Sequence, residues 1–396
     1  MLIWRLICEE IRLRAGDDNN RGYVSKIAYD CRHFRSDRPC VFKQKCRCEY
    51  YDSMGFRVVI IKLGALGDVV RTTCLLDTIK REYSNSHITW VTSSEAKDLL
   101  KNDVRIDRLV TFDVWGIVEL TNQKFDLVLS LDKEGSAAGL CNMLDSEDKR
   151  GICLSQWGTS MPCNKECEEY FELGLDDEKK FYLNDKSYPE LIHEALGLQY
   201  IRQPYRLYCD ESVLDWAKSK FEDWSGRSEG VFVGLNTGAG SVFANKSLSR
   251  WQWKELIGLL NDRGYSVVLL GGENEREKNE WLMRESRGIV FDADCAESLE
   301  RFVAIVSQCD VVVSGDTLGL HVAIGRDVPV VALFGPTCHQ EIDLFDRGIK
   351  LISGAECCPC YKRRCERVPN CMDMISVEEI ADSVSSLVRV PAEIGT

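Results

Sequence analysis

Asp68 is the residue whose setting in this sequence most directly indicates chemistry. It follows a nearly continuous apolar run at residues 57–61, the kind of run that forms a strand buried on both faces of a parallel sheet. Gly64 and Gly67 stand between that run and the acid, and apolar residues at helical spacing follow. Because glycine carries no Cβ, this strand–turn–helix unit would let the backbone approach a ligand closely. The pattern predicts that Asp68 lies at the mouth of a ligand cleft.

Two interpretations of Asp68 stay open on these residues alone. Asp is a favoured N-cap, so the acid could simply begin the helix instead of taking part in catalysis. The glycines have the spacing Gly-x-x-Gly, which differs from the G-x-G-x-x-G fingerprint of dinucleotide-binding folds. The segment therefore predicts a cleft residue, and it does not indicate a nicotinamide site.

A second candidate site is the loop that follows the predicted strand 231–236. Thr237 and Gly238 open this loop, and Lys246 closes it just before a helix that Ser249 is expected to cap. Backbone N–H donors, hydroxyl groups and one ammonium group are what a bound diphosphate requires. The alternative is a flexible turn with a surface lysine.

Two further loops follow predicted strands and should reach the same cleft, because the carboxyl ends of parallel strands share one edge of a sheet. Glu273 follows the strand 266–270 and is placed to accept ribose or base hydrogen bonds, or merely to complement a helix dipole.

Asp316 begins a segment whose first helical N–H groups are free to bind an anion, although it could equally cap that helix. Its neighbours in the candidate site are Thr317, Leu318, Gly319 and His321. By itself, His321 on an apolar helix is more typical of a core histidine than of a catalyst.

Composition limits the class of protein. The chain has 396 residues, 44% of them hydrophobic, and a formal net charge of −13. This length fits two domains plus an extension, and the negative charge argues against nucleic acid as a partner. No stretch reaches the ~20 apolar residues of a membrane span. The apolar start, residues 1–8, is expected to be a packed helix or a peripheral contact with a membrane surface, so we expect a cytoplasmic protein, with the inner face of the membrane as a candidate location.

The order of predicted elements indicates an α/β fold. Apolar runs alternate with helical patterns from residue 57 to 154 and again from about residue 205 to 334, which predicts two doubly wound, Rossmann-like parallel sheets. We place the boundaries at residues 1–55 for a basic, Cys-rich extension, 56–204 and 205–375 for the two domains, and 376–396 for a closing helix and tail.

Cysteines form two groups among the 19 in the chain. A C-terminal group offers four thiolates, which suit tetrahedral zinc or ferric iron, although the spacing is not a standard zinc-knuckle pattern. A second group lies in the N-terminal extension, and the alternative for both groups is reduced core and loop cysteines. The C-terminal candidate ligands are Cys357, Cys360, Cys365 and Cys371, and the N-terminal ones are Cys31, Cys40, Cys46 and Cys48.

Taken together, these segments resemble glycosyltransferase family nine, the ADP-heptose:lipopolysaccharide heptosyltransferase family, over about residues 55–390. The resemblance rests on the segments 61–69, 236–246 with Trp251 behind it, 314–321 and 334–337, and residues 131–134 also look like a family segment. It implies a GT-B architecture, in which the second domain holds the nucleotide sugar and the first holds the acceptor across a cleft. The family's general base falls on Asp68 and its phosphate-contacting lysine on Lys246.

The same resemblance assigns the remaining positions and the reaction. It places the nucleoside-contacting acid at Glu273, the sugar and diphosphate at the segment around Asp316, and the acceptor beside Gly64, Gly67 and Arg71. It implies an inverting transfer of a sugar, with heptose from ADP-heptose expected, to a hydroxyl group of a glycan or lipid-linked acceptor. No cofactor is required for that catalysis, so zinc or iron on the cysteines would be structural. The competing hypothesis is a non-catalytic GT-B protein that binds nucleotide or carbohydrate and carries a cysteine-bound metal.

Overall fold

The computed structural model describes residues 26–226, 230–240, 244–294 and 298–388. The chain divides into two compact units, Met1–Gly55 and Phe56–Thr396. Within the described part of the first unit, Cys31 and Ser53 form an isolated antiparallel bridge, and the rings of Phe42 and Tyr50 are stacked with centroids 4.2 Å apart. The expected helix at residues 1–8 lies outside the described residues.

The first sheet of the larger unit has the strand order β3-β2-β1-β4-β5-β6. All of its strand pairs are parallel except β5 with β6, which is antiparallel. Every residue of β2 and β4 is buried, as expected for apolar strands with helices on both faces. The strands are β1 Phe56–Ile61, β2 Ser86–Thr92, β3 Arg108–Thr111, β4 Leu127–Ser130, β5 Asp148–Leu154 and β6 Ser160–Pro162.

Helices connect these strands. The first, α1, starts directly after the turn that follows β1, and α7 is capped by Ser187 with Pro189 in its first turn, where proline is well tolerated. The helices of this half, residues 56–204, are α1 Leu66–Thr72, α2 Cys74–Glu82, α3 Lys97–Leu100, α4 Val114–Thr121, α5 Gly135–Met143, α6 Cys167–Glu172 and α7 Tyr188–Ala195.

The second half, residues 205–388, contains a parallel sheet of order β12-β11-β10-β7-β8-β9. Its strands are β7 Phe232–Asn236, β8 Ser266–Leu270, β9 Val290–Asp292, β10 Val311–Gly315, β11 Val330–Phe334 and β12 Gly348–Ile352. Its helices are α8 Glu211–Ser225, α9 Arg250–Asp262, α10 Arg276–Glu285, α11 Leu299–Val306, α12 Leu318–Gly325 and α13 Val377–Val388. Ser249 forms the predicted cap of α9 as part of a capping box with Gln252.

The two sheets confirm the predicted α/β class with doubly wound topology. In each sheet the strand order reverses direction next to the first strand, between β1 and β4 and between β7 and β10. Ligands of open α/β sheets bind at such switch points, outside the carboxyl ends of the strands. The turns after β1, β7 and β10 are therefore where the fold itself places a site.

Several elements differ from the sequence prediction. The strands β6, β9 and β12 and the helix α4 were not anticipated. β6 and β9 have three residues each and are only half-buried, so they lack the long apolar run on which strand prediction depends. β12 is an edge strand that contains Lys350. Within the described residues, no helix combines the length and the apolar character that crossing a bilayer requires.

Candidate active site

A cleft of about 1060 Å³ opens between the two halves at the switch points of both sheets. The first half contributes the turn after β1 and helix α1. The second half contributes the loop after β7, the turn after β8 and the start of α12. Asp68, Lys246 and Asp316, which lie far apart in sequence, all line this cleft. The cleft is large enough for a nucleotide-sized ligand.

Asp68 lies inside helix α1 and does not cap it. The N-cap is Ala65, which has no side chain able to cap, so the capping interpretation of Asp68 is wrong. Its carboxylate instead pairs with Arg71 one turn later, with Oδ1 2.8 Å from Nη2, and it keeps 36% of its side chain exposed. Asp68 therefore faces the cleft while it is ion-paired with Arg71.

The electrostatic surroundings of Asp68 favour its charged form. Burial alone would raise the pKa of the carboxyl group, but Arg71, Lys62 and His321 outweigh it and lower the pKa to about 2. Asp68 is fully ionised at neutral pH, but as paired here it is a weak base.

Lys62 is a contributor to the site that the sequence analysis did not single out. It is buried at the end of β1 and forms an ion pair with Asp132, which follows β4 and is also buried. Asp132 accepts a second hydrogen bond from the backbone N–H of Leu63. This buried pair connects the two strands at the switch point and fixes the turn that leads to Asp68. The apolar sequence around Lys62 gave no indication that its charge would be buried, although residues 131–134 already stood out as a family-like segment.

Asp316 and Lys246 form the corresponding pair in the second half. Lys246 Nζ is 3.0 Å from Asp316 Oδ2 and 3.0 Å from the Asp316 carbonyl oxygen, and both side chains are 16% exposed. Burial raises the pKa of Asp316, but Lys246, His321 and Arg71 outweigh it and lower that pKa below its ordinary value. The N-cap of α12 is Thr317, so the alternative that Asp316 caps this helix is also wrong.

His321 lies where the two halves meet. Its Nδ1 is 2.8 Å from the hydroxyl oxygen of Tyr205, and its Nε2 is 3.8 Å from Asp316 Oδ1. Burial, reinforced by the nearby Arg71, lowers the pKa of His321 to about 4, so the ring is neutral at pH 7. The residue is thus both a buried, hydrogen-bonded histidine and part of the cleft lining.

Two glycines of the site allow other parts of the protein to pack closely against them, whereas the sequence analysis expected glycines here to let the backbone approach a ligand. A Cβ on Gly67 would lie 2.7 Å from His321 Cδ2, so this glycine allows α1 to meet α12. A Cβ on Gly319 would lie 2.6 Å from the side chain of Asn236, whose Nδ2 donates to Thr317 Oγ1 at 2.7 Å. Gly64 has no atoms within 4 Å of such a Cβ, and it does not line the cleft, unlike Gly67 and Leu318.

Thr237 and Gly238 have different surroundings. Thr237 is fully buried, and its hydroxyl donates to Asn279 Oδ1 at 2.6 Å, so its side chain serves the interior and is not available to a ligand. Gly238 lines the cleft, and a Cβ there would overlap the carboxyl group of Glu275. Of these two predicted donor residues, Gly238 lines the cleft and Thr237 does not.

Glu273 is not part of the cleft lining. Its carboxylate is 2.7 Å from Arg276 Nη2 and its side chain is 72% exposed, so it forms an external ion pair. Asn274 and Glu275 line the cleft in its place, and Glu275 accepts a hydrogen bond from the Gly272 N–H at 3.0 Å. The glycine pair preceding Glu273 marked the right turn, but the 3-10 geometry of residues 273–275 presents the later carboxylate.

Comparison with known proteins decides the family. The model of glycosyltransferase family 9 (heptosyltransferase) matches residues 117–369, which is well over half of the chain. The chain belongs to glycosyltransferase family 9. It is therefore a glycosyltransferase, as predicted. The match includes Lys246 and Asp316, whereas Asp68 lies before its first residue.

Relatives of this glycosyltransferase are distant but span most of its length. Lipopolysaccharide heptosyltransferase 2 of Salmonella typhimurium is 22% identical over 317 residues, covering 75% of this chain and 89% of the relative. The crystal structure of a family 9 glycosyl transferase from Veillonella parvula superposes with a TM-score of 0.65 at 19% identity, covering 85% and 98% of the two chains. ADP-heptose lipopolysaccharide heptosyltransferase II of E. coli gives a TM-score of 0.62 at 18% identity, covering 84% and 98%. These likenesses confirm the predicted GT-B fold.

The cysteine groups of the glycosyltransferase do not form the predicted metal sites in this structure. Within the described residues, no three or more Cys, His, Asp or Glu side chains are placed to hold a metal ion, which applies to both the C-terminal and the N-terminal set. In the C-terminal set Cys371 is buried and hydrogen-bonded to Cys358, whereas Cys365 is exposed. Burial raises the pKa of the Cys371 thiol and the nearby Cys360, Cys365 and Cys357 raise it further, but among the described residues these thiols are not placed to hold a metal ion together.

Proposed function

We propose that this family 9 enzyme transfers a heptose from ADP-heptose to a hydroxyl group of a lipopolysaccharide-type acceptor, with inversion at the anomeric carbon. The observation that carries the proposal is the shared cleft, where an ionised carboxylate from one half and a lysine from the other line the same space. This is what a direct displacement requires, since one group must accept a proton and another must stabilise the leaving diphosphate. The names of the relatives, heptosyltransferases from several bacteria, support the choice of donor and acceptor.

The donor diphosphate is assigned to the second half. Lys246 supplies a positive charge at the cleft, and α12 begins behind Thr317, whose side chain makes no capping hydrogen bond. The first N–H groups of a helix carry partial positive charge and bind phosphate well. When the diphosphate binds, the ammonium group of Lys246 can divide its hydrogen bonds between Asp316 and the phosphate oxygens.

The nucleoside is assigned to the turn after β8. Asn274 and Glu275 line the cleft there, next to Gly238, and an acid at this place in a Rossmann-like half commonly accepts ribose hydroxyl hydrogen bonds. Glu275 replaces Glu273 in this role, because Glu273 points outward to Arg276.

In the chemical step, the acceptor oxygen attacks the anomeric carbon as the bond from that carbon to the diphosphate oxygen breaks. The hydroxyl proton passes to the Asp68 carboxylate, and ADP leaves with the bonding electron pair. Lys246 and the start of α12 stabilise the added negative charge. These steps use side chains and backbone N–H groups of the chain, without a covalent intermediate and without a cofactor.

The acceptor is assigned to the first half, beside Gly67 and Arg71, which line the cleft next to the base. Gly64 does not line the cleft, and the space where its side chain would be is open. A glycan or lipid-linked acceptor would bring the enzyme to the inner face of the membrane as a peripheral protein, and a vesicle-binding assay tests that location.

Replacement of Asp68 tests the proposal. Asp68→Asn keeps the size of the side chain and removes the proton acceptor, so we expect transfer to fall by at least about 100-fold, the lower end of what general-base catalysis contributes. The dissociation constant for ADP should stay within about threefold, since the diphosphate site is in the other half. Asp215→Asn, on the exposed face of α8, is the matched control. Near-normal transfer by Asp68→Asn would remove Asp68 from this role.

A separate experiment, thermal unfolding with different nucleotides, tests the choice of donor. Thermal unfolding is followed with ADP, UDP and GDP, and with ADP-heptose against UDP- and GDP-sugars. Ligands that bind only the folded state raise its stability, so ADP and ADP-heptose should produce the largest shifts. A larger shift with UDP- or GDP-sugars would contradict the proposed donor, and no shift with any nucleotide would favour the non-catalytic alternative.

A further inference from the structure

We propose that Arg71 restrains Asp68 until a negatively charged group of the acceptor draws its guanidinium group away, so that the base becomes active only when the acceptor is bound. This inference rests on the proposed function, because it concerns when Asp68 acts as the base. It explains how the cleft can hold a reactive donor and yet discriminate against water, which has no charge with which to attract Arg71.

The first observation is the ion pair itself. Asp68 Oδ1 and Arg71 Nη2 are 2.8 Å apart, one helical turn from each other in α1. Both residues line the cleft, so the pair lies where substrate binds. A carboxylate that accepts a charge-assisted hydrogen bond from a guanidinium group is a poor proton acceptor.

The second observation is that Arg71 has a fixed platform and an unused donor. Its guanidinium carbon is 3.6 Å from the ring centroid of Tyr188, and the Tyr188 hydroxyl is 2.8 Å from Thr72 Oγ1. The Nε of Arg71 is buried and has no hydrogen-bond partner among the described residues. A guanidinium group binds carboxylate or phosphate through paired N–H donors. Arg71 can therefore gain donor contacts to such a group while Tyr188 still supports it.

The third observation is that Arg71 is the partner of Asp68 best placed to leave. Lys62, directly after β1, is held by the buried Asp132. His321, on α12, is hydrogen-bonded to Tyr205 and has a neutral ring at pH 7. Among the described residues, the phenols of Tyr170 and Tyr188 also face Asp68, and their pKa values are raised mainly by burial, so they stay uncharged. On the other side of the pair, the carboxylates of Glu341 and Asp316 act on Arg71 and raise its pKa.

Removal of the Arg71 charge therefore acts on the base itself. With Arg71 engaged elsewhere, the largest contribution that lowers the pKa of Asp68 is gone and Lys62 is the main charge left to oppose burial, so the pKa of Asp68 rises from about 2. A base whose pKa is closer to the working pH accepts a proton more readily in the transition state. Either a carboxylate or a phosphate group on the acceptor would have this effect.

The test uses hydrolysis of ADP-heptose by water, which needs no knowledge of the acceptor. In that reaction a water oxygen attacks the anomeric carbon, ADP leaves and Asp68 takes the proton. We expect slow hydrolysis by the unaltered enzyme and an increase of about tenfold in Arg71→Met, because the base is no longer restrained. Arg71→Lys keeps a positive charge beside Asp68, so its increase should be smaller than that of Arg71→Met. Lys218→Met, on the surface of α8, is the control and should stay within about twofold of the unaltered enzyme. Unchanged or slower hydrolysis in Arg71→Met overturns the proposal.

Two further measurements separate this effect from a structural one. The double variant Asp68→Asn/Arg71→Met should lose the increase, and the acidic limb of the rate profile in Arg71→Met should move to higher pH. Inorganic phosphate or acetate, added at saturating ADP-heptose, should accelerate hydrolysis by the unaltered enzyme and not by Arg71→Met. Acceleration by phosphate alone or acetate alone identifies the acceptor group, and acceleration by neither overturns the proposal. Failure of ADP to bind, or an active Asp68→Asn variant, would instead refute the proposed function.

Discussion

The two halves of the cleft present the same arrangement built in two ways. Each has a buried strand, a turn and a helix, with an aspartate at the cleft paired to a cation: Asp68 with Arg71, and Asp316 with Lys246. In the first half both partners belong to α1. In the second half Lys246 comes from the loop after β7 and Asp316 follows β10, so their contact connects two neighbouring strands at the switch point.

This difference in construction teaches what each pair can do. The Asp68–Arg71 pair can open by a side-chain movement alone, because both residues belong to one helix and the Asp68 side chain is 36% exposed, while Arg71, 14% exposed, stays over the Tyr188 ring. In the Asp316–Lys246 pair both side chains are 16% exposed, and Lys246 also donates to a backbone carbonyl oxygen. An ion pair that opens easily suits a base that becomes active when the acceptor binds. An ion pair that fixes two loops suits a preformed binding site for the diphosphate.

The largest expected effect that tests this comparison is on donor binding. Lys246→Met removes the ammonium group from the cradle and should weaken ADP binding by about 10- to 100-fold, since a hydrogen bond to a charged group contributes about 1.5–3 kcal/mol. Isothermal titration calorimetry measures it. Lys218→Met, on the exposed surface of α8, is the control. The same loss of ADP binding in Arg71→Met would break the comparison, because both halves would then hold the diphosphate.

The contact between the halves gives the next effect. Gly67→Ala places a methyl group 2.7 Å from the buried His321 ring, so α1 and α12 must move apart. We expect the free energy of unfolding to fall by about 1–3 kcal/mol, the usual cost of overpacking, and transfer to fall with it as Asp68 shifts relative to Lys246. Chemical denaturation and transfer kinetics measure the two effects.

A glycine elsewhere supplies the control for that variant. Gly258 lies inside α9, and a Cβ there would have no atom within 4 Å, so Gly258→Ala should stabilise the protein by about 0.5–1 kcal/mol. If Gly67→Ala behaved like Gly258→Ala, the close approach of α1 to α12 would not be a feature of the enzyme in solution.

The sequence was sufficient to predict the fold and the three cleft loops, because buried parallel strands read as apolar runs and the carboxyl ends of those strands meet. It was insufficient to show which way side chains point within a loop. Thr237 and Glu273 stand in the correct loops, yet one is buried against Asn279 and the other pairs with Arg276. A single turn of 3-10 helix decides that Glu275 faces the cleft, and no residue pattern encodes that choice.

The sequence also did not predict contacts between residues that lie far apart along the chain. The Asp132 that holds Lys62 and the Tyr205 that holds His321 are separated from them by 70 and 116 residues. Such contacts follow from strand order, which the spacing of residues along a chain does not contain. The capping interpretations of Asp68 and Asp316 were wrong for two different reasons. Helix α1 begins before Asp68, at the N-cap Ala65, and Asp68 pairs with Arg71 in the same helix. Asp316 instead pairs with Lys246, a cation brought close by the tertiary structure.

The smallest expected effect sharpens the comparison between the loops after β7 and β10, each of which carries a threonine. Thr237→Val leaves the buried Asn279 Oδ1 without its 2.6 Å hydrogen bond, so the free energy of unfolding should fall by about 1–2 kcal/mol, while the dissociation constant for ADP stays within about twofold.

Thr317→Val, at the cleft, should weaken ADP binding by a few-fold, because the hydroxyl that accepts from Asn236 Nδ2 at 2.7 Å orients the start of α12. Denaturation and calorimetry on both variants separate stability from binding. If Thr237→Val impaired ADP binding as much as Thr317→Val does, Thr237 would belong to the donor site after all, because its buried hydroxyl would then be needed for ligand binding and not only for the stability of the interior.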